Sequence, residues 1–192
     1  MHIIDLSREI HHRAPAHPSH PPVIITVWND HSEIKRAGKT EFTSKSLSIS
    51  MSDHSCTHVD APVHFNPDPN APSIDEIPLE NFYTEAICLD LSPAPRNHEA
   101  TVAEMEAALE ASGETIKPGD TVMIYMGIHN ELYGSPDYVH EFPGLSVEAV
   151  HWLADHRSPC SAWRPSAPLP KVNRTIWPIW PALSAGSPII VP

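Results

Sequence analysis

Apolar residues in this chain come in short runs parted by proline, glycine and aspartate, with few long periodic stretches. Residues 23–28 (VIITVW) are β-branched and apolar, and residues 42–51 alternate Ser44, Ser46, Ser48 and Ser50 with Leu47, Ile49 and Met51. Both segments predict strands, the second half-buried. Residues 86–91 (AICLDL) and 121–126 (TVMIYM) are continuous apolar runs, which predicts central strands covered on both faces. Helical spacing occurs twice. Thr101-Val102-Ala103-Glu104 reads as a capping box, after which Val102, Met105 and Leu109 keep one face until Gly113 offers a stop. Ser146 is a second N-cap, followed by Val147, Val150, Leu153 and Ala154. Strands interspersed with two helices predict an α/β domain.

Between these elements, residues 10–22 hold four histidines (His11, His12, His17, His20) and four prolines, so the segment is expected to be a loop, solvated or facing a substrate. His98, His140 and His151 read as surface residues, and His31 carries no signal. The chain has 192 residues, enough for one packed domain. A net charge of −12 argues against general nucleic-acid binding. No apolar run reaches the ~20 residues that span a membrane, and the first residues lack a basic and apolar leader. A cytoplasmic protein with neither membrane nor nucleic acid as partner is the expectation. Cys56, Cys88 and Cys160 are odd in number and far apart, so they predict free thiols rather than a disulfide framework.

Composition changes abruptly after Asp155. All 24 acidic residues lie in 1–155, whereas 156–192 has none but carries 8 of the 22 prolines and 3 of the 5 tryptophans. The reading is a domain over 1–155 and a Pro-rich, atypical tail over 156–192, able to form at most short edge strands or irregular structure. One account of the tail is a docking arm, for which Pro165 and Pro168 supply a single P-x-x-P spacing. The other is a stretch not shaped with the domain, as after a shift of reading frame. The abruptness of the change favours the second.

The candidate chemistry lies in residues 52–65, SDHSCTHVDAPVHF, which reduce to His54-x3-His58-x-Asp60-x3-His64. A bare His-x3-His pair is expected about once in a chain with this many histidines, but the full pattern is expected only about 0.004 times. Thr57, Val59 and Pro62 argue against a helix. A fully extended chain would hold His54 and His58 about 13 Å apart, so the chain must curl between them. His58 and Asp60, two residues apart, share a face if that stretch is extended. His54, His58 and Asp60 can then hold one ion and leave a position for water, as in a catalytic zinc site. His64 is either a base beside that water or a further ligand. His129, which follows the run 121–126 through Gly127, is a candidate for the pocket lining.

Residues 1–155 resemble the cyclase family of metal-dependent hydrolases, which includes kynurenine formamidases and isatin hydrolases. The family motif H-x-G-T-H-x-D-x-P-x-H stands here as His54-Ser55-Cys56-Thr57-His58-Val59-Asp60-Ala61-Pro62-Val63-His64. Asp5-Leu6-Ser7, Ile77-Pro78-Leu79-Glu80, Asp90-Leu91-Ser92, Gly119-Asp120-Thr121 and Pro143-Gly144-Leu145-Ser146 add supporting matches. The resemblance implies a swivelling layered β/β/α fold, a homodimer or larger homo-oligomer, and Zn²⁺ or Mn²⁺ bound by His54, His58 and Asp60. It further implies that Asp60 can bridge to a second ion, that His64 assists proton transfer, and that the substrate is a small aryl or cyclic amide. Arylformamidase-like and isatin hydrolase-like activities are both implied.

Two departures change the picture. Cys56 replaces the motif's glycine, which is tolerable if its φ is negative, and its sulfur then becomes a candidate for the pocket near the metal. Family members also supply a further His and Glu from a C-terminal segment, whereas this chain has no Asp or Glu after Asp155. A second ion held in that manner is not expected. The alternative function is therefore a family member that binds metal without turnover.

Overall fold

Two units divide the chain, Met1–Cys56 and Thr57–Pro192. The structure, a computed structural model, describes residues 3–156 together with the backbone of strands 160–163 and 189–191. Trp177, Trp180 and the Pro165–Pro168 spacing lie outside the described residues, as does most of the tail whose origin the sequence questions.

In the first unit, β1 (Ile24–Asn29) is followed by the hairpin of β2 (Lys35–Ala37) and β3 (Thr40–Phe42) and then by β4 (Ser46–Ser50). The turn between β2 and β3 places Gly38 at φ +63, a left-handed conformation that costs glycine little. β4 pairs antiparallel with β1, placing Leu47 opposite Val27 and Ile49 opposite Ile25, with Ser48 opposite Thr26. The single strand expected over 42–51 is thus two elements, because Phe42 closes β3. Its alternation holds, but its half-burial does not: Leu47 and Ile49 are exposed. Alternation reports which side chains share a face, and says nothing about whether that face is covered. The buried residues of this unit are few, with Ala14, Val23 and Cys56 packed against Ile25 and Met51.

The second unit is built on a five-stranded sheet in the order β5-β11-β10-β8-β6. In chain order its elements are β5 (His58–Asp60), β6 (Ala86–Asp90), β7 (Glu99–Ala100), α1 (Val102–Ser112), β8 (Thr121–Tyr125), α2 (Ile128–Leu132), β9 (Gly144–Leu145), α3 (Val147–Asp155), β10 (Cys160–Trp163) and β11 (Ile189–Val191). β6, β8, β10 and β11 run parallel, and β11 pairs antiparallel with β5. β7 and β9 form a separate two-residue parallel ladder. Leu89, Met105, Val122, Ile124, Tyr138, Phe142, Ala149 and Leu153 are at the centre of one extended cluster. α1 packs on β6 and on α3.

Both helices start where the sequence places them. The Thr101 hydroxyl accepts from the Glu104 N–H while the Glu104 carboxylate accepts from the Thr101 N–H, and Gly113 ends α1 in the left-handed region. His98, read from sequence as a surface residue, joins this cap with Nε2 2.8 Å from the Glu104 carboxylate. Ser146 caps α3 through the Ala149 N–H. The face that α3 buries is Ala149 and Leu153 with Trp152 beside them, rotated from the face centred on Val147 and Val150.

Two expectations about strands are corrected. Among the described residues the run 86–91 forms an end strand of the sheet, not a central one: Ile87 and Leu89 turn to the core while Ala86, Cys88 and Asp90 are exposed. Small and acidic residues at alternate positions carry that signal, which the unbroken apolar run obscures. The strands that form in the tail are not at the edge. β10 and β11 lie between β8 and β5. Pro159 and Pro165 bracket the first and Pro188 and Pro192 the second, so proline limits their length to a few residues without fixing their place in the order.

Candidate metal centre

The motif folds as two local structures in succession. Ser55 N–H donates to the Ser52 carbonyl at 3.2 Å, closing a turn that carries His54, and Cys56 then takes φ +58. This supplies the curl that the spacing requires. The chain next enters β5, where His58 and Asp60 lie on one face. Val59 between them pairs with Ile190, while Asp60 and His58 stand opposite Ile189 and Val191. The strand that carries two of the three candidate ligands is thus held by the C-terminal strand.

The donor atoms of His54, His58 and Asp60 all lie within 4.8 Å of one another. The boundary between the two units falls inside this stretch, between Cys56 and Thr57, so the cluster is a property of seven consecutive residues. Asp60 is buried and both histidines are partly buried. His58 Nε2 is 3.3 Å from Asp60 Oδ1, close to the ~3.4 Å edge of a tetrahedron with 2.1 Å bonds. Two imidazole nitrogens and one carboxylate oxygen suit zinc and also accept manganese. The residues present therefore fit a divalent ion with open positions for water or substrate.

Of the other residues singled out from sequence, His64 lies outside this cluster. It closes the short 3₁₀ turn Pro62–His64, is exposed, and stacks edge-on against Phe65 with ring centres 4.1 Å apart. His129 sits in α2, with Nδ1 3.1 Å from the Tyr138 hydroxyl and its ring 4.5 Å from that of Tyr133. Cys56 does not have the negative φ under which a side chain was expected to be tolerated. It adopts the left-handed conformation in which glycine is favoured, at a cost of about 1–2 kcal/mol. Its side chain is buried with Ala14 and Val23, and its thiol points to the Glu9 carbonyl at 3.9 Å, outside the metal-ligating group.

Sequence reasoning set His20 aside with its neighbours in the Pro-rich loop. The structure brings its ring to 5.4 Å from that of His54, with His17 a further 5.5 Å along. Burial first, and the His20 imidazole second, lower the pKa of His17. Ser52, also overlooked, is buried and touches both His20 and the backbone of His54. No local signal reveals such pairs, because His20 and Ser52 are 32 residues apart.

The fold is α/β, and its two-histidine, one-carboxylate cluster is a donor set that could hold a metal ion. The sequence profile described as Putative cyclase matches residues 4–162, and the chain belongs to this cyclase family. Solved structures agree in fold. Isatin hydrolase A from Labrenzia aggregata, bound to benzyl benzoate, is 22% identical with a TM-score of 0.76, over 98% of this chain and 78% of that one. Isatin hydrolase A from Ralstonia solanacearum is 21% identical with a TM-score of 0.78, over 98% and 77%. A protein described as a potential metal-dependent hydrolase with cyclase activity is 20% identical with a TM-score of 0.71, over 98% and 79%. No curated protein matches the sequence.

Proposed function

We propose that the protein is a metal-dependent hydrolase of a small aryl or cyclic amide, arylformamidase-like or isatin hydrolase-like, with Zn²⁺ or Mn²⁺ held by His54, His58 and Asp60. The convergence of these three donors within 4.8 Å carries the reading. A divalent ion bound there supplies Lewis-acid chemistry, acidifying water and polarising a carbonyl. His58 and Asp60 present their donors from one face of β5, so the ladder to β11 fixes their spacing. His64, four residues past Asp60, is assigned to proton transfer. Its imidazole takes the proton released by the attacking water and returns it to the departing amide nitrogen, a role worth typically 10²–10⁴ in rate. A formylated aryl amine would yield formate and the free amine, and a cyclic amide would open to an amino acid.

The absence of Asp and Glu after Asp155 favours a second reading, a family member that binds the ion without turnover. A homodimer or larger assembly belongs to the same proposal, supported by the exposed apolar residues Val27, Leu47 and Ile49 on one face of β1 and β4. The test is turnover. Purified protein of known metal content is assayed on N-formyl-kynurenine and isatin, stripped with a chelator, and reloaded with zinc or manganese. Hydrolysis of either substrate that is lost on stripping and regained on reloading is the expected result. Bound metal without hydrolysis of either supports the second reading, and protein that holds no metal overturns both.

A further inference from the structure

His54 differs from the other two candidate ligands in what holds it. His58 and Asp60 stand on a strand with a ladder partner, whereas His54 stands on a turn, two residues before a left-handed cysteine. A ligand on a turn needs side-chain contacts to fix it, and ligand-bearing imidazoles are commonly oriented in this way by a neighbouring polar group. Three contacts meet at the Ser52 hydroxyl. Its oxygen accepts the His54 N–H at 3.2 Å, lies 3.3 Å from His20 Nδ1, and lies 3.1 Å from the Asp53 carboxylate, to which it donates. A hydroxyl has one proton and two lone pairs. With the proton directed to Asp53, both lone pairs accept, one from the His54 backbone and one from His20 Nδ1–H. Ser52 is only 7% exposed, so the hydroxyl at which these contacts meet is itself largely removed from water.

The loop that delivers His20 is itself closed. Arg13 N–H donates to the Val23 carbonyl at 2.8 Å, and Ile25 N–H donates to His12 Nδ1 at 3.1 Å. Its two ends, Ala14 and Val23, pack on the side chain of Cys56, two residues beyond His54. The residue that replaces the motif's glycine is therefore the anchor of the loop that carries His20. The energetic cost of its positive φ is offset by contacts a glycine could not make.

We infer that His20 is a positioning residue for the metal ligand His54, acting through a hydrogen bond donated to the Ser52 hydroxyl. This rests on the reading of His54, His58 and Asp60 as the metal centre. The proline-rich loop is then a support of the centre, and the donor on His20, more than its ring, is the active feature.

Two substitutions separate donor from ring. His20→Asn keeps a side-chain N–H near the position of Nδ1 but loses the ring, and His20→Phe keeps a ring but loses the donor. The probe is zinc itself, its affinity measured by competition with a chromophoric chelator. A second readout is the visible spectrum of the cobalt-substituted protein, which reports ligand geometry. The expected result is a 10–100-fold weaker affinity and a shifted cobalt spectrum for His20→Phe, with His20→Asn within a few-fold of wild type. Ser52→Ala should weaken binding at least as much as His20→Phe, because it also removes the acceptor of the His54 N–H, and adding His20→Phe to it should weaken binding no further, because the bond that His20 donates is already gone. Thermal unfolding of the metal-free proteins checks folding. Equal affinity in all variants, or equal losses in His20→Asn and His20→Phe, would overturn the inference while leaving the centre intact. Wild-type protein without metal would instead remove the centre on which it rests.

Discussion

In the second unit, His58 and Asp60 stand on a strand whose sheet is backed by a broad cluster that includes Leu89, Val122, Ile124, Tyr138 and Phe142. In the first unit, His54 stands on a turn, in the company of two-stranded ladders and a cluster of Ala14, Val23 and Cys56. Two-stranded ladders are marginal without a covered face. The ligands of one candidate centre are thus supported unequally, by backbone pairing on one side and by side-chain hydrogen bonds on the other. The pairing that fixes β5 costs no extra residue chemistry, since any chain entering the sheet can provide it. The turn must be fixed by particular side chains, and substitution there should be felt by the metal before it is felt by the fold.

The strongest test is to remove a ligand on the well-supported side. His58→Ala should reduce bound zinc or manganese to background in elemental analysis, because a three-ligand site that loses one ligand keeps no tight binding. Circular dichroism should remain near wild type. Retained metal would show that the centre lies elsewhere.

Breaking the support instead of the ligand is the next step. Ile190→Pro places a residue without an N–H in the strand between β5 and β10, where it should cost about 3 kcal/mol or more and weaken metal binding together with stability. A tail with no part in the sheet would leave both unchanged, so this variant also bears on the origin of the composition change after Asp155.

The unequal cores can be compared directly. Leu89→Ala, at a fully buried position, should cost about 2–5 kcal/mol in denaturant unfolding. Val23→Ala, equally buried but in the smaller cluster, should cost about 1–2 kcal/mol and loosen the loop over residues 13–23, seen as faster amide exchange there. Similar losses at the two sites would contradict the contrast between the units.

Cys56→Gly should change stability by less than about 1 kcal/mol. Release of the left-handed strain, about 1–2 kcal/mol, is offset by loss of a buried side chain. Zinc affinity should nonetheless fall, since the loop carrying His20 loses its anchor. Unchanged affinity would detach Cys56 from the support of His54.

The smallest effect expected is a pH response at the start of α1. Hydrogen bonds from the Thr101 backbone and hydroxyl, and then from His98, hold the Glu104 carboxyl below its ordinary 4.5. A depressed folded-state value contributes stability above the unfolded value that is lost as pH falls through the folded one. Protection of the first amides of α1 should therefore decline below about pH 4.5 in wild type. Glu104→Gln should flatten that response, and Thr101→Ala should cost about 0.5–2 kcal/mol at neutral pH.

What the sequence determined by itself was everything that depends on neighbours within a few residues. Thr101 and Glu104 are three apart, and their reciprocal cap needs no distant partner. The face shared by His58 and Asp60 follows from the two-residue period of a strand, and the need for a curl before them follows from the reach of an extended chain. The alternation of Ser46, Ser48 and Ser50 with Leu47 and Ile49 was legible for the same reason. The tertiary structure alone decided where β6 and β11 lie in the sheet, that Leu47 stays exposed, and that Cys56 accepts a positive φ. It also decided that His20 comes to rest beside His54. Those outcomes depend on contacts between residues tens of positions apart. Their balance of loop closure against burial is settled by the whole packing, and no short window of sequence contains it.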